Sequence, residues 1–481
     1  MKDQITKQTC TNLFLFLFLT IYGQLQAQDI KLLSQASIDA FDPFTTVITG
    51  DLQIGVFSSA TSATIPTNIT DISNLSNLKT VEGNVFIMNT SLTNLEGLEN
   101  LALINENLTI RSNKSLTNID ALSNLKTIGG YLECTSLDSL TNIDGFTSLT
   151  TIGGNLALNG NDALTSTDGL SSLISIGGRL TIYSNSNLEN INGLSTISTL
   201  GGLTISFNPS LNSLAGLSSL SLVSGDIDIA HCDNLLDIDG INNLTVVGGS
   251  IEIRDSEITN VDGFSGLSSI GGELSFRYND NLVNLDGLNK LLSINESLKI
   301  NSNSNLKNLD GLLSLNNVDG NMSILDNDEL MNLDGLSNLL TIGGNLYVRQ
   351  NPRLKDCCGI QNILKTQATS IGGEVGISHN PSECSNEDEV LAVGCSTVMT
   401  TDISPDLRIY PNPVVNKFTV EALGSYSSYD IYDLTGKRII GNSIIPGNLD
   451  LQIDLTSHTP GVYLLKLHSE SRIDYITVVK I

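Results

Sequence analysis

The chain has no tryptophan, and aromatic residues supply only 5% of its 481 positions. A globular core filled by bulky rings is not what such a sequence builds; a slim core of Leu and Ile is. Cations are scarce as well: 24 Lys and Arg against 51 Asp and Glu leave a formal net charge of −27. Nucleic-acid phosphates would be repelled, so no nucleic acid is expected as a partner, and direct adhesion to an anionic membrane is equally disfavoured. There are four histidines, and His458 and His468 fall close to the C-terminus. No G-x-S-x-G, H-E-x-x-H, P-loop or dinucleotide fingerprint occurs, so no catalytic residue is expected and the chain reads as a non-enzyme. Long apolar runs are missing after the first segment. Lys2 and Lys7 precede an apolar run from Leu13 to about Tyr22, and Leu25-Gln26-Ala27 offers a cleavage site. Residues 1–27 therefore read as a secretory signal peptide, too short to span a bilayer, and the mature chain is expected to have no transmembrane segment.

What the sequence has in abundance is one repeated phrase. Residues 330–353, LMNLDGLSNLLTIGGNLYVRQNPR, recur with small changes through most of the chain. Leu330, Leu333, Leu336, Leu339, Ile342, Leu346 and Val348 cannot bury themselves within one copy, but stacked copies bring each onto its equivalent in the next. Leu330-x-x-Leu333 and Leu336-x-x-Leu339 suit short 3₁₀-like sides, and Leu346-Tyr347-Val348 alternates as a strand does. Asp334-Gly335 and Gly343-Gly344 mark turns, where Gly is expected to supply positive φ. Asn351 recurs as Asn113, Asn161, Asn185, Asn208, Asn279, Asn303, Asn327 and Asn380 and predicts an Asn ladder that satisfies corner backbone groups. The strand position repeats fourteen times from Leu52 to Val375, mostly every 24 residues. At parallel-strand spacing, such a stack is on the order of 65 Å long.

The pattern L-x-x-L-D-G-L-x-x-L-x-x-I-G-G-x-L-x-I-x-x-N, over roughly Thr46–Pro381, resembles the receptor L-domain variety of leucine-rich-repeat solenoid. The resemblance implies an all-β fold, a right-handed parallel β-solenoid of about 14 coils of 24 residues. It also implies ligand binding or surface adhesion rather than catalysis. Residues 28–68 form a degenerate N-terminal capping coil and 69–382 the regular solenoid. Residues 383–395 close a C-terminal cap whose features begin near Leu354. Cys357, Cys358, Cys384 and Cys395 cluster there, and export implies an oxidising compartment, so two disulfides are expected. Three pairings are possible; the favoured one joins one cysteine of the 357/358 pair to Cys384 and the other to Cys395. Cys134 and Cys232 fall on inward positions and read as buried thiols.

A polar linker, 396–404, ends the repeat region. From Pro405 short alternating runs indicate a small β-sandwich over 405–481. This end resembles the type A C-terminal sorting domain of the type IX secretion system of Bacteroidota. The matching residues are Tyr410-Pro411-Asn412-Pro413, the hairpin that holds Gly436 and Lys437, Gly461 and Tyr463 of Pro460-Gly-Val-Tyr463, and the final Thr477-Val-Val-Lys480. The resemblance implies the type IX machinery as a partner, and an address that is secreted, extracellular or on the outer-membrane surface.

Two surfaces are candidates for function. The outward column after the second inward strand residue holds Arg111, Arg254, Arg277 and Arg349, four of the six arginines in 28–395, with Tyr183 in the same column. Phe207, His231, Tyr278 and Tyr347 lie nearby, and Arg and aromatic side chains anchor recognition surfaces. The bland reading is a row of solvated residues that offset local acidity. The second surface is the D-G carboxylate row Asp120, Asp144, Asp168, Asp239, Asp262, Asp286, Asp310 and Asp334, which needs turn hydrogen bonds to backbone N–H groups or, more sharply, calcium ions to offset its repulsion. No D-x-D-x-D loop supports calcium, and no cofactor or metal site is expected. The function expected is binding of an extracellular glycan or protein. The alternatives are a β-helix enzyme acting on polysaccharide and a passive surface spacer.

Overall fold

The computed structural model describes residues 28–57, 67–393 and 395, and beyond these 408–410, 414–421, 426–433, 437–443, 450–459, 461–469 and 473–480. The expected signal peptide and the linker lie outside the described residues. The chain divides into two units between Cys395 and Ser396.

The first unit is built coil by coil, as the period requires. Each coil gives one strand of three to five residues to a single parallel sheet of fifteen strands, running in chain order from Ile30–Leu32 to Val375–Ser378. The register is residue on equivalent residue: Leu346 pairs with Met322 and Val375, and Val348 with Ile324 and Ile377. Inward strand residues thus stack into continuous columns, and Leu346 and Val348 have no accessible surface. Burying each such side chain contributes roughly 1.5–3 kcal/mol relative to exposure. The D-G segments form 3₁₀ turns such as Asp334–Leu336, which put Leu336 into the same core. A third side carries two-residue strands such as Thr341–Ile342.

Those short strands form two sheets of six and seven strands, and the break falls between Ser175–Ile176 and Thr199–Leu200. The cause is legible in the residues. Three residues separate Ile176 from Leu180, but only Gly201 and Gly202 separate Leu200 from Leu203. With one residue deleted, the Gly201 N–H moves to the Gly178 carbonyl (2.8 Å), whereas Gly177 donates to Ile152 (2.9 Å). The long sheet runs through this point unbroken, because Leu180 still pairs with Leu203.

One expectation about turn chemistry is corrected. Apart from Gly97, the glycines of the repeat turns do not supply positive φ; among the described glycines only Gly55, Gly97, Gly160 and Gly461 have it. They are small because coils touch there. A Cβ on Gly335 would lie 1.7 Å from the Leu309 carbonyl oxygen of the preceding coil. The left-handed corner sits instead just before the Asn ladder and is occupied mostly by residues with side chains, among them Ser112, Phe207, His231, Tyr278 and Gln350.

The Asn ladder forms in two runs. Asn161, Asn185 and Asn208 make the first, and Asn279, Asn303, Asn327, Asn351 and Asn380 the second. In the second run the Asn327 side-chain carbonyl accepts the Asn303 N–H (3.1 Å), and its amide donates to the Ile300 carbonyl (2.8 Å). Asn113 serves Thr90 in the same way. Leu137, Cys232 and Ser256 hold the remaining ladder positions, and the Cys232 thiol points at the Ala230 carbonyl (3.4 Å). Burial pushes the Cys134 thiol up to about 12 and the Cys232 thiol up to about 11, so neither is a nucleophile at neutral pH.

The ends of the stack are helical. Gln35–Asp39, capped by Ser34, covers the first coil. Cys358–Lys365 and Glu387–Ala392 cover the last, so the solenoid is strand-built with short helices confined to its caps. Ile360, Ile363 and Leu364 close the core, and buried Gln361 donates to the carbonyls of Val390 (3.0 Å) and Val393 (2.7 Å). The disulfides are Cys357–Cys384 and Cys358–Cys395. The second unit is a small antiparallel sandwich. A three-stranded sheet and a four-stranded sheet share one core that includes Phe418, Val420, Ile431, Leu465 and Val478.

Candidate functional site

The outer face of the long sheet is built from positions that the inward columns leave free. Register places Arg111, Tyr183, Arg254, Arg277 and Arg349 in one outward column, as the repeat predicts. They do not form one cluster. Arg111 lies six strands before Arg254, and Arg349 three strands beyond Arg277. Arg349 packs its guanidinium over the Tyr347 ring, 4.5 Å from the centroid, and donates from Nε to the Gly376 carbonyl (3.2 Å). That pair is a separate feature.

The five neighbouring strands from Arg179–Tyr183 to Leu274–Arg277 carry the densest chemistry. The rings of Tyr183 and Phe207 meet edge to face at 5.3 Å, and Phe207 stacks on His231 at 4.2 Å. Tyr183 and Phe207 remain 44% and 42% exposed, so this strip faces solvent although its members touch. Phe207 and His231 occupy the left-handed corner, which aligns them beside the strand column rather than within it. Tyr278 holds the same corner position farther along and is exposed.

Beside the strip lies a set of charges that the repeat pattern did not single out. Arg179 reaches across the side-chain-free Gly202 to Thr204 Oγ1 (2.9 Å) and Asp226 (3.4 Å). Glu252 is shared by Arg277 and Arg254. Arg254 also approaches Asp255 (3.4 Å) and His231 Nε2 (3.3 Å). Lys299 pairs with Glu273 (2.8 Å). The hydrogen bond that Arg277 donates to Glu252 raises the Arg277 pKa above its ordinary value. Asp228, at the centre of the middle column between Thr204 and Glu252, is different. It makes no ion pair among the described residues, its Oδ1 is shielded without a hydrogen-bond partner, and burial raises its pKa. Its place on an outward strand position next to the arginine column was a usable signal in the sequence.

Among the described residues, the D-G carboxylate row does not make the backbone hydrogen bonds expected of it. The side chain two residues earlier takes the turn N–H instead: Asn332 accepts from Asp334, Asn308 from Asp310 and Asn284 from Asp286, at 3.0–3.1 Å. Burial, then neighbouring carboxylates, raises the pKa values of Asp239, Asp310 and Asp334. Among the described residues no three His, Cys, Asp or Glu side chains group as a metal site.

In the second unit, Tyr410 ends the strand Arg408–Tyr410, Lys437 is exposed just before Arg438–Ser443, and Gly461 opens Gly461–Ser469. The Tyr463 hydroxyl donates to the Thr459 carbonyl (2.5 Å), and Lys480 bridges to Val414 with 8% of its surface exposed. Pro411, Asn412, Pro413 and Gly436 lie outside the described residues.

Residues 46–126 match the Receptor L domain family. Residues 408–480 match the Secretion system C-terminal sorting domain. No curated protein matches the chain. The second match means export by type IX secretion, to the outer-membrane surface or the extracellular space. The first covers the opening coils of a stack whose register continues unchanged to Val375–Ser378. No helix among the described residues is long and apolar enough to cross a membrane.

Proposed function

We propose that the chain is an exported solenoid that recognises an extracellular glycan or protein through the outer face of its long sheet and performs no chemistry itself. The observation that carries this reading is the convergence of Tyr183, Phe207, His231, Arg254 and Arg277 on adjacent strands of one solvent-facing surface. Rigid rings and planar guanidinium groups give contact area at low entropic cost, and they are the side chains that dominate measured binding energies. The test is binding of the full chain to an array of glycans and extracellular proteins. A Tyr183→Ala/Phe207→Ala variant is expected to lose the bound species, while Lys126→Ala, on another side of the coil, keeps it. Binding that survives the double variant would move the site off this face.

A second reading is cleavage of a polysaccharide. The observation that favours it is a pair of carboxyl groups on neighbouring strands, Asp228 with a raised pKa and Glu252 held by two arginines. Two carboxyl groups flanking one bond are the arrangement glycoside hydrolysis uses. Product formation on the same array would establish this reading over the first.

A further inference from the structure

We propose that the ligand is a polysaccharide with free amino groups, laid along the solenoid axis over Tyr183, Phe207 and His231, with an ammonium seated at Asp228. This rests on the binding-face reading and narrows it to one class of ligand.

From strand Arg179–Tyr183 to strand Leu298–Asn301, the charges on the face leave one anion without an ion pair among the described residues. Asp226 has Arg179, Glu252 has Arg254 and Arg277, Asp255 has Arg254, and Glu273 has Lys299. Asp228 has none of these, and its shielded Oδ1 has no donor. A half-buried carboxylate without a partner is costly, and a cation brought by the ligand offsets that cost. Burial raises the Asp228 pKa more than Arg254, Arg179 and His231, acting without an ion-pair contact, lower it, so the carboxyl is left undercompensated. At longer range the net charge of −27 attracts a polycation and repels uronate or sulfated chains.

The rest of the face suits a sugar polymer. Half-buried Thr181, Thr204 and Asn301 lie on the same outward columns and carry both donors and acceptors, as sugar hydroxyl groups do. Exposed Tyr183 and Phe207 offer apolar ring surface beside these polar groups. Equivalent positions recur once per strand, about 4.8 Å apart along the axis. A ligand with a short repeat therefore meets the same column again at each coil. A peptide strand gains less here, because the sheet's own backbone N–H and C=O groups are already paired.

The test uses the full chain and three soluble oligomers of equal length: β-1,4-linked glucosamine, its fully N-acetylated form, and glucose. Calorimetry is run at a pH where the amine is protonated and at one where it is neutral. The glucosamine oligomer alone is expected to bind, less well in high salt, and not at the higher pH. Asp228→Asn is expected to weaken binding roughly tenfold to hundredfold, the loss of one charged hydrogen bond, with an unfolding midpoint no lower than the parent's. Asp138→Asn, an exposed carboxylate elsewhere, is expected to bind as the parent does. Equal binding of the acetylated or glucose oligomer overturns the proposal without any variant, and so does an Asp228→Asn variant that binds normally. A lysine-rich peptide that binds in place of the oligomers overturns the sugar class. If the oligomers fail but the Tyr183→Ala/Phe207→Ala variant loses some other ligand from the array, the binding face stands and the amine falls. If that variant also loses nothing, both readings fall.

Discussion

Asn327 has no accessible surface, yet both ends of its amide are in use. Asn327→Ala strips a partner from the Asn303 N–H and from the Ile300 carbonyl at once. Leaving such buried groups unpaired is expected to destabilise the solenoid by about 2–4 kcal/mol, read as a lower urea midpoint at unchanged slope. Gly335→Ala is a steric test of a different kind. With 1.7 Å to the Leu309 oxygen the coils must separate locally, and a loss of about 1–3 kcal/mol or more is expected in the same assay. If the glycine served positive φ alone, the neighbouring turns would tolerate Ala no better and no worse; Gly335 is therefore to be compared with Gly160, whose φ is +63° and whose Cβ would touch nothing closer than 3.9 Å. The sequence marks Gly335 as part of a recurring pair and Gly160 as a single occurrence, but it cannot say which constraint Gly335 obeys, because clearance from the previous coil depends on stacking distance. The Asn column was legible for the opposite reason: a polar residue at a fixed inward spacing has few uses other than corner hydrogen bonds.

Among the elements, strands and 3₁₀ turns were legible because apolar spacing repeats, and each copy confirms the last. The caps were not. Gln35–Asp39 and Cys358–Lys365 occur once each, so no repeat marks them, and they are helical because an end coil has no neighbour to offer strand partners. The cysteines of the C-terminal cap closed as the favoured pairing had it, Cys357 with Cys384 and Cys358 with Cys395. Replacing Cys384 and Cys395 by Ser is expected to cost about 2–4 kcal/mol per bridge by loosening closed loops of 27 and 37 residues. Hydrogen exchange should then quicken around Ile360–Leu364 before it quickens around Leu203 or Leu274. Uniform quickening along the stack would contradict a local role. The candidate face was half legible: the arginine column is a matter of counting, but the pairing of Arg277 with Glu252 and the isolation of Asp228 depend on which side chains lean toward which.

Over the whole molecule, acidity works against folding. Asp310 and Asp334 have raised pKa values, through burial first and adjacent carboxylates second. Such a carboxyl binds protons more tightly folded than unfolded. Lowering the pH from neutral toward its raised pKa therefore adds stability, and the gain is complete once both states are protonated. These two groups are expected to add stability as the pH falls from their raised pKa toward the ordinary Asp value of about 3.9, and an Asp310→Asn/Asp334→Asn variant should be more stable than the parent at neutral pH and show a smaller gain. Differential scanning calorimetry at fixed ionic strength reads both effects. A parent and variant with parallel pH profiles would remove these two residues as the cause.

The bridge between Cys358 and Cys395 also decides how the molecule carries mechanical load. Cys395 is the last residue before the second unit. A pull on the chain beyond it passes through sulfur to Cys358 and leaves the 37-residue loop between them slack. Tension thus enters at the helix that covers the core. The final strand, Val375–Ser378, lies within the slack loop and is not peeled from the sheet's edge. Oxidised, the solenoid resists being unzipped from its tethered end; reduced, it offers that end strand first.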